Sequence, residues 1–195
     1  MRLTIFTIVV LITLSIPATA QEPPDVEVFG GYSFFKADGG GSLHGWNASV
    51  AGTLSRSFAL VADLSGHYGT QSLRADFSDP DFPGTIIARA ESNAKLHMIL
   101  GGPQFSYRKH ERLTPFARAL FGASRLSTKS TLNFAGITRE ISSADIAFTA
   151  AIGGGLDLKL NETVSLRMIQ ADYVLTRFGS STQSNARLSV GIVLH

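Results

Sequence analysis

His67 and His97 are the residues whose placement could give this chain a specific chemistry. Alternation in the segments that carry them gives both the same inward parity on adjacent antiparallel strands, toward the same strand end. Two imidazoles so placed could share a metal or pass a proton. No third ligand can be named, and the plainer alternative is two polar side chains bonded to their neighbours. Six charged residues, Asp63, Arg118, Asp157, Lys159, Asp172 and Arg187, also have inward parity. Opposite charges facing one interior can cross-link it as a salt-bridge network, because an unpaired ion there is costly. The alternative is a polar track for ions. Asp76, Asp79 and Asp81 crowd into ADFSDPDFPG at 75–84. Oxygen-rich loops can bind calcium, but the EF-hand spacing is missing, and a solvated loop with Asp-Pro turn chemistry accounts for the stretch.

These residues need strands to hold them. Period-two alternation recurs in eight segments: 26–36, 45–54, 58–68, 94–107, 114–124, 145–160, 164–177 and 185–194. In the last, NARLSVGIVL, Ala186, Leu188, Val190, Ile192 and Leu194 oppose Arg187, Ser189, Gly191 and Val193. Segments of about ten residues are long enough to cross an outer membrane when tilted. Their connections alternate in length: short at 55–57, 109–113 and 161–163, mostly longer at 37–44, 69–93, 125–144 and 178–184. That rhythm predicts an all-β fold, an eight-stranded antiparallel up-and-down transmembrane β-barrel with short periplasmic turns and longer external loops. Trp46 and Tyr68 fall near strand ends on the lipid face, where an aromatic girdle would sit. Two places break the pattern. Gly101-Gly102-Pro103 interrupts the fourth segment, and since proline cannot donate to a ladder, a bulge that bends the strand is expected there. Arg167 and Asp172 cannot both face inward in a regular strand, so Arg167 is expected to snorkel at the periplasmic rim, with a bulge as the alternative.

Composition bounds the rest. Arg2, the apolar run from Leu3 to Ile16 and Ala18-Thr19-Ala20 have the form of a secretory signal peptide at 1–20, leaving one domain at 21–195. No second long apolar run follows. Losing Arg2 with the leader brings the 17 basic residues to one more than the 15 acidic ones, which gives no support for nucleic-acid binding. Nineteen Gly and thirteen Phe fit a strand-rich chain, and the absence of cysteine leaves neither a disulfide framework nor a lipoprotein anchor.

The order and spacing of VEVFGGYSFF at 26–35, WNASVAGTL at 46–54, LVADLSGHYG at 60–69, ILGGPQFSYR at 99–108, LTPFARALFGASR at 113–125, IQADYVLTRFG at 169–179 and ARLSVGIVLH at 186–195 carry a resemblance. The chain resembles the small eight-stranded outer-membrane barrels, the OmpA-type transmembrane domain and its porin-like relatives, over nearly all of 21–195. The resemblance implies a place in the bacterial outer membrane and a structural, surface-interaction or small-pore role without enzymatic activity or cofactor. It implies as partners the surrounding outer-membrane lipid, the barrel assembly machinery during insertion, and surface ligands on the external loops. The peptidoglycan-binding domain that follows the barrel in full-length relatives has no counterpart here, so cell-wall anchoring is not expected. Such barrels usually end on an aromatic insertion signal, where this chain has His195. An outer-membrane lipid-modifying enzyme is the first alternative. There is no G-x-S-x-G elbow, and His44, His67 and His97 lack a nearby serine at the spacing a lipid A deacylase would need. A secreted, soluble lipocalin-like barrel with the faces exchanged is the second.

Overall fold

An apolar side chain at every second position fits a strand that buries one face and leaves the other to different surroundings. The computed structural model describes residues 26–38, 41–78, 85–108, 112–134, 137–178 and 181–195. They form β1 (Val26–Lys36), β2 (Ser42–Thr53), β3 (Phe58–Ser78), β4 (Thr85–Ser106), β5 (Leu113–Phe134), β6 (Ile137–Lys159), β7 (Val164–Phe178) and β8 (Ser181–Leu194). Each strand pairs antiparallel with the next, and β8 returns to β1 from Val28↔Leu194 to Lys36↔Ala186, closing the barrel. Within the closed section, closure removes the sheet edges that would otherwise pair with other chains. The expected signal peptide lies outside the described residues.

The outward faces are apolar: Ile146 is 75% exposed, Ile99 66%, Ile152 64% and Phe148 59%. Trp46 and Tyr68 also point outward, and Phe58 and Phe105 stack edge-to-face near the short turns at the opposite end. A contiguous apolar surface of this kind is unfavourable in water and suits lipid. The inward faces hold ions and an apolar cluster that includes Phe35, Leu43, Val61, Leu96, Met98, Leu100, Leu120 and Val174. The chain therefore does not build the soluble barrel with exchanged faces.

The short connections lie where alternation places them. In the β6–β7 turn, Asn161 Oδ1 accepts hydrogen bonds from the Thr163 and Val164 amides at 2.9 and 2.8 Å, a side-chain turn that fixes the hairpin. At the other end the stretches 69–93 and 125–144, expected as loops, are largely strand. β3 and β4 stay paired from Gly69↔Ala94 to Ser78↔Thr85, and β5 and β6 from Leu126↔Asp145 to Phe134↔Ile137. In the outer part of β6 residues 138–146 are exposed on both faces, so that stretch needs no apolar alternation. β2 accompanies β3 only to Tyr68, and β7 accompanies β6 only from Phe148. The outer parts of β3–β6 thus stand beyond the rim as a four-stranded sheet.

Two local expectations are corrected. β4 runs through Gly101-Gly102-Pro103 in unbroken register with β3 and keeps one register with β5 on either side, so no bulge forms there. A Cβ on Gly102 would run into the Ala119 carbonyl, so close strand approach accounts for this glycine. The bulge lies instead in β7, where the register with β8 shifts between Arg167 and Gln170. The exposed, consecutive Met168 and Ile169 mark it. It turns both Arg167 and Asp172 inward, so Arg167 does not snorkel at the rim.

Candidate functional site

Inward parity on β3, β5, β7 and β8 converges on one ionic cluster. Arg118 holds Asp172 through two bonds, Nε to Oδ1 at 3.0 Å and Nη2 to Oδ2 at 2.7 Å. Arg187 donates from Nε to Asp172 Oδ2 at 3.0 Å and from Nη1 to Asp63 Oδ1 at 2.8 Å. Arg118 Nη1 lies 3.2 Å from Asp63 Oδ2. Two guanidiniums and two carboxylates therefore neutralise one another, in the planar fork geometry that favours arginine over lysine. Neutral groups complete the cluster. Asn47 donates to Asp63 at 3.0 Å, Ser65 accepts from Arg187 at 3.2 Å, and Gln170 donates to Asn47 and Asp172 at 3.1 and 3.2 Å.

Gln170 links this cluster to a second pair. Its Oε1 accepts from Arg167 at 2.8 Å, while Arg167 donates to both oxygens of Asp157 at 2.8 and 2.9 Å. The Arg167 guanidinium also lies between the rings of Phe29 and Phe116, 4.6 and 4.2 Å from their centroids. Gly155 leaves space for this stack: a Cβ there would meet Phe116 Cζ at 2.7 Å. Toward the short-turn end, Glu27 pairs with Arg108 and lies 3.7 Å from His195 Nδ1. The His195 ring nitrogen Nε2 meets Ser165 Oγ at 2.8 Å, and its amide donates to the Thr163 carbonyl at 2.9 Å. His195 is thereby tied to both sides of the closing strand's end.

Of the six charged residues singled out from sequence, Asp63, Arg118, Asp157, Asp172 and Arg187 point into this interior. Lys159 does not join them. It keeps inward parity but is the last residue of β6, past the wall, and pairs with Glu162 in the turn at 2.8 Å. That hydrogen bond, with the lysine charge, holds the Glu162 carboxyl below its ordinary range.

The two-histidine site is also corrected. His67 is buried, with Nε2 2.8 Å from Ser33 Oγ and its ring 5.2 Å from that of Phe35. His97 faces outward and meets the Tyr68 hydroxyl at 3.1 Å. The pair stands on opposite faces of the wall. Leu96, Met98 and Leu100 point inward and Ile99 outward, so both faces of this part of β4 are apolar and hydrophobicity does not set its parity. Among the described residues no group of three or more His, Cys, Asp or Glu side chains could hold a metal. Asp79 and Asp81 lie outside the described residues, and of the third aspartate only the β3 backbone is described.

Sequence reasoning missed Arg167 because a bulge changes its face. Asn47 and Gln170 carry no charge, so nothing in their residue type marks them as part of an ionic cluster. Asn47 has the right parity opposite Trp46, and that was the available signal.

No protein-family model and no curated protein matches the chain. The fold is that of the small eight-stranded outer-membrane β-barrels. Among solved structures, Ail, the attachment invasion locus protein of Yersinia pestis, in complex with the heparin analogue sucrose octasulfate, is similar at a TM-score of 0.57. Its identity is 13%, over 88% of this chain and 99% of that one. The N-terminal β-barrel domain of Pseudomonas aeruginosa OprF is similar at 0.44, with 13% identity over 88% of this chain and 99% of that one. Neisserial surface protein A is similar at 0.41, with 11% identity over 87% of this chain and 94% of that one. Such identities speak to fold alone.

Proposed function

We propose that this chain is a bacterial outer-membrane barrel that works as a non-conducting, non-enzymatic scaffold and holds the sheet of β3–β6 outside the membrane as a surface for partners. The blocked lumen carries this reading. Asp63 and Arg187 are 0% exposed and Arg118 and Asp172 3%, in one cross-link that joins four strands across the interior. An ion crossing that section would have to separate buried guanidinium–carboxylate pairs, each member of which is costly to leave alone. The outward apolar belt supports a place in lipid. In this reading the partners are the surrounding lipid, the machinery that inserts the barrel, and ligands that meet the external sheet.

Two serine–histidine pairs meet at 2.8 Å, Ser33–His67 inside the barrel and Ser165–His195 at the short-turn end, where Glu27 lies 3.7 Å from His195. A nucleophilic triad also needs a third group orienting the base and access for substrate. Ser33 and His67 are 0% exposed, His67 Nδ1 has no hydrogen-bond partner among the described residues, and Ser165 is only 3% exposed. Those facts support a packing role.

The test is electrophoretic. Refolded into phosphatidylcholine vesicles, the protein should migrate differently on a denaturing gel before and after boiling. A protein that stays soluble without detergent and shows no shift would overturn the proposal.

A further inference from the structure

The projecting sheet has two edges, and they differ. Beyond Tyr68 β3 has no β2 beside it, and before Phe148 β6 has no β7. The β3 edge is approached by the β1–β2 connection, where a Cβ on Gly41 would meet Gln71 Nε2 at 3.1 Å. Residues 138–146 of β6 pair with β5 on one side, and among the described residues no strand pairs with them on the other. All of 138–146 is exposed. Its outer row of amides and carbonyls is left to water or to another strand. Side chains alternate along it. Arg139, Ile141, Ser143 and Asp145 share one face, and Glu140, Ser142 and Ala144 take the other. Glu140 lies 3.8 Å from Lys129, whereas neither Arg139 nor Asp145 has an ion-pair partner among the described residues.

We propose that this β6 edge pairs antiparallel with the same edge of a second copy, held by a barrel in a facing membrane. The proposal names a partner for the projecting sheet and rests on the outer-membrane reading above. Symmetry restricts the register: in an antiparallel pair of identical strands with matched faces, one residue stands opposite itself. Centring on Ser142 sets Arg139 opposite Asp145 twice, with Ile141 opposite Ser143 and Glu140 opposite Ala144. Centring on Arg139, Glu140 or Asp145 sets like charges opposite each other. Centring on Ile141 or Ser143 leaves Arg139 and Asp145 without an opposite charge. Charges that repel an arbitrary strand from an open edge thus favour one strand, the copy of this one. Orientation then places the copy. The β6 strands of two barrels in one membrane run the same way and cannot pair antiparallel. The two-fold axis turns one barrel over, into a membrane that faces the first. A single edge pair is a small interface, but many copies between two membranes act together.

The test uses single barrels in phosphatidylcholine nanodiscs, which leave both barrel ends accessible, and exploits the absence of native cysteine. Ser142→Cys sets two thiols directly opposite each other, within disulfide reach. Mild oxidation should therefore give a covalent dimer on a non-reducing gel. Thr138→Cys, opposite Ile146 and far from its own copy, should not. Adding Arg139→Asp to Ser142→Cys should lower the dimer yield by roughly tenfold. Adding Asp145→Arg as well should restore it at the original net charge. Ser142→Cys and Thr138→Cys alone serve if the charge variants lose their boiling-dependent gel shift. Equal cross-linking at both positions, none at 142, or a yield indifferent to the charge changes in folded variants would overturn the edge pairing. Dimers that form only within discs loaded with two barrels would overturn the facing-membrane arrangement. A wild-type protein without the gel shift would instead overturn the membrane reading on which the pairing rests.

Discussion

Arg187 shows how closely the interior depends on single side chains. It bonds Asp63, Asp172 and Ser65 with no exposure. Arg187→Met should cost about 3–5 kcal/mol, because Asp63 and Asp172 would each lose a charge partner in a buried site. Urea unfolding in vesicles measures it. Lys159→Met should change stability far less, since an exposed pair is worth little; an equal loss at both positions would argue against the assigned locations. The same lysine variant tests the turn electrostatics. Glu162 has its folded value depressed by Lys159, so any stability it adds is present above its ordinary value and lost as pH falls through the folded one. In Lys159→Met the Glu162 midpoint should rise, as followed by NMR titration.

At the scale of elements, the sequence was clear where one face must be apolar and the other must not. The eight strands, the short turns and the outward face of β8 were legible for that reason. The outer half of β6 was not, because residues 138–146 are exposed on both faces. The parity of β4 was hidden by apolar residues on both faces, and that of β7 by its bulge. Two isoleucines test this division. Ile152 lies in the belt and Ile141 on the projecting ribbon, both exposed. Ile152→Lys should cost about 2–4 kcal/mol if it reaches the bilayer midplane, and Ile141→Lys about 0–1 kcal/mol. Similar costs in vesicle unfolding would displace the belt. The final strand is tested by deletion. β8 pairs with β1 and β7 up to Leu194, and His195 adds the bond to Thr163. Removing residues 192–195 should abolish assembly, read as loss of the gel shift. Retention of a normal shift would show that closure does not need this end.

On the scale of the whole molecule, the barrel is a wall with two different surroundings, joined by a charge-neutral cross-link. Arg118, Arg167 and Arg187 are matched inside by Asp63, Asp157 and Asp172. In the proposed scaffold, a lumen consumed in such contacts leaves the belt and the sheet beyond the rim for interaction. Single-channel recording in planar bilayers tests this account most directly. The wild-type barrel should give no conductance steps at ordinary holding potentials. Regular steps whose size changes on Arg118→Ala would show that ions pass through the cluster, and would contradict a closed scaffold.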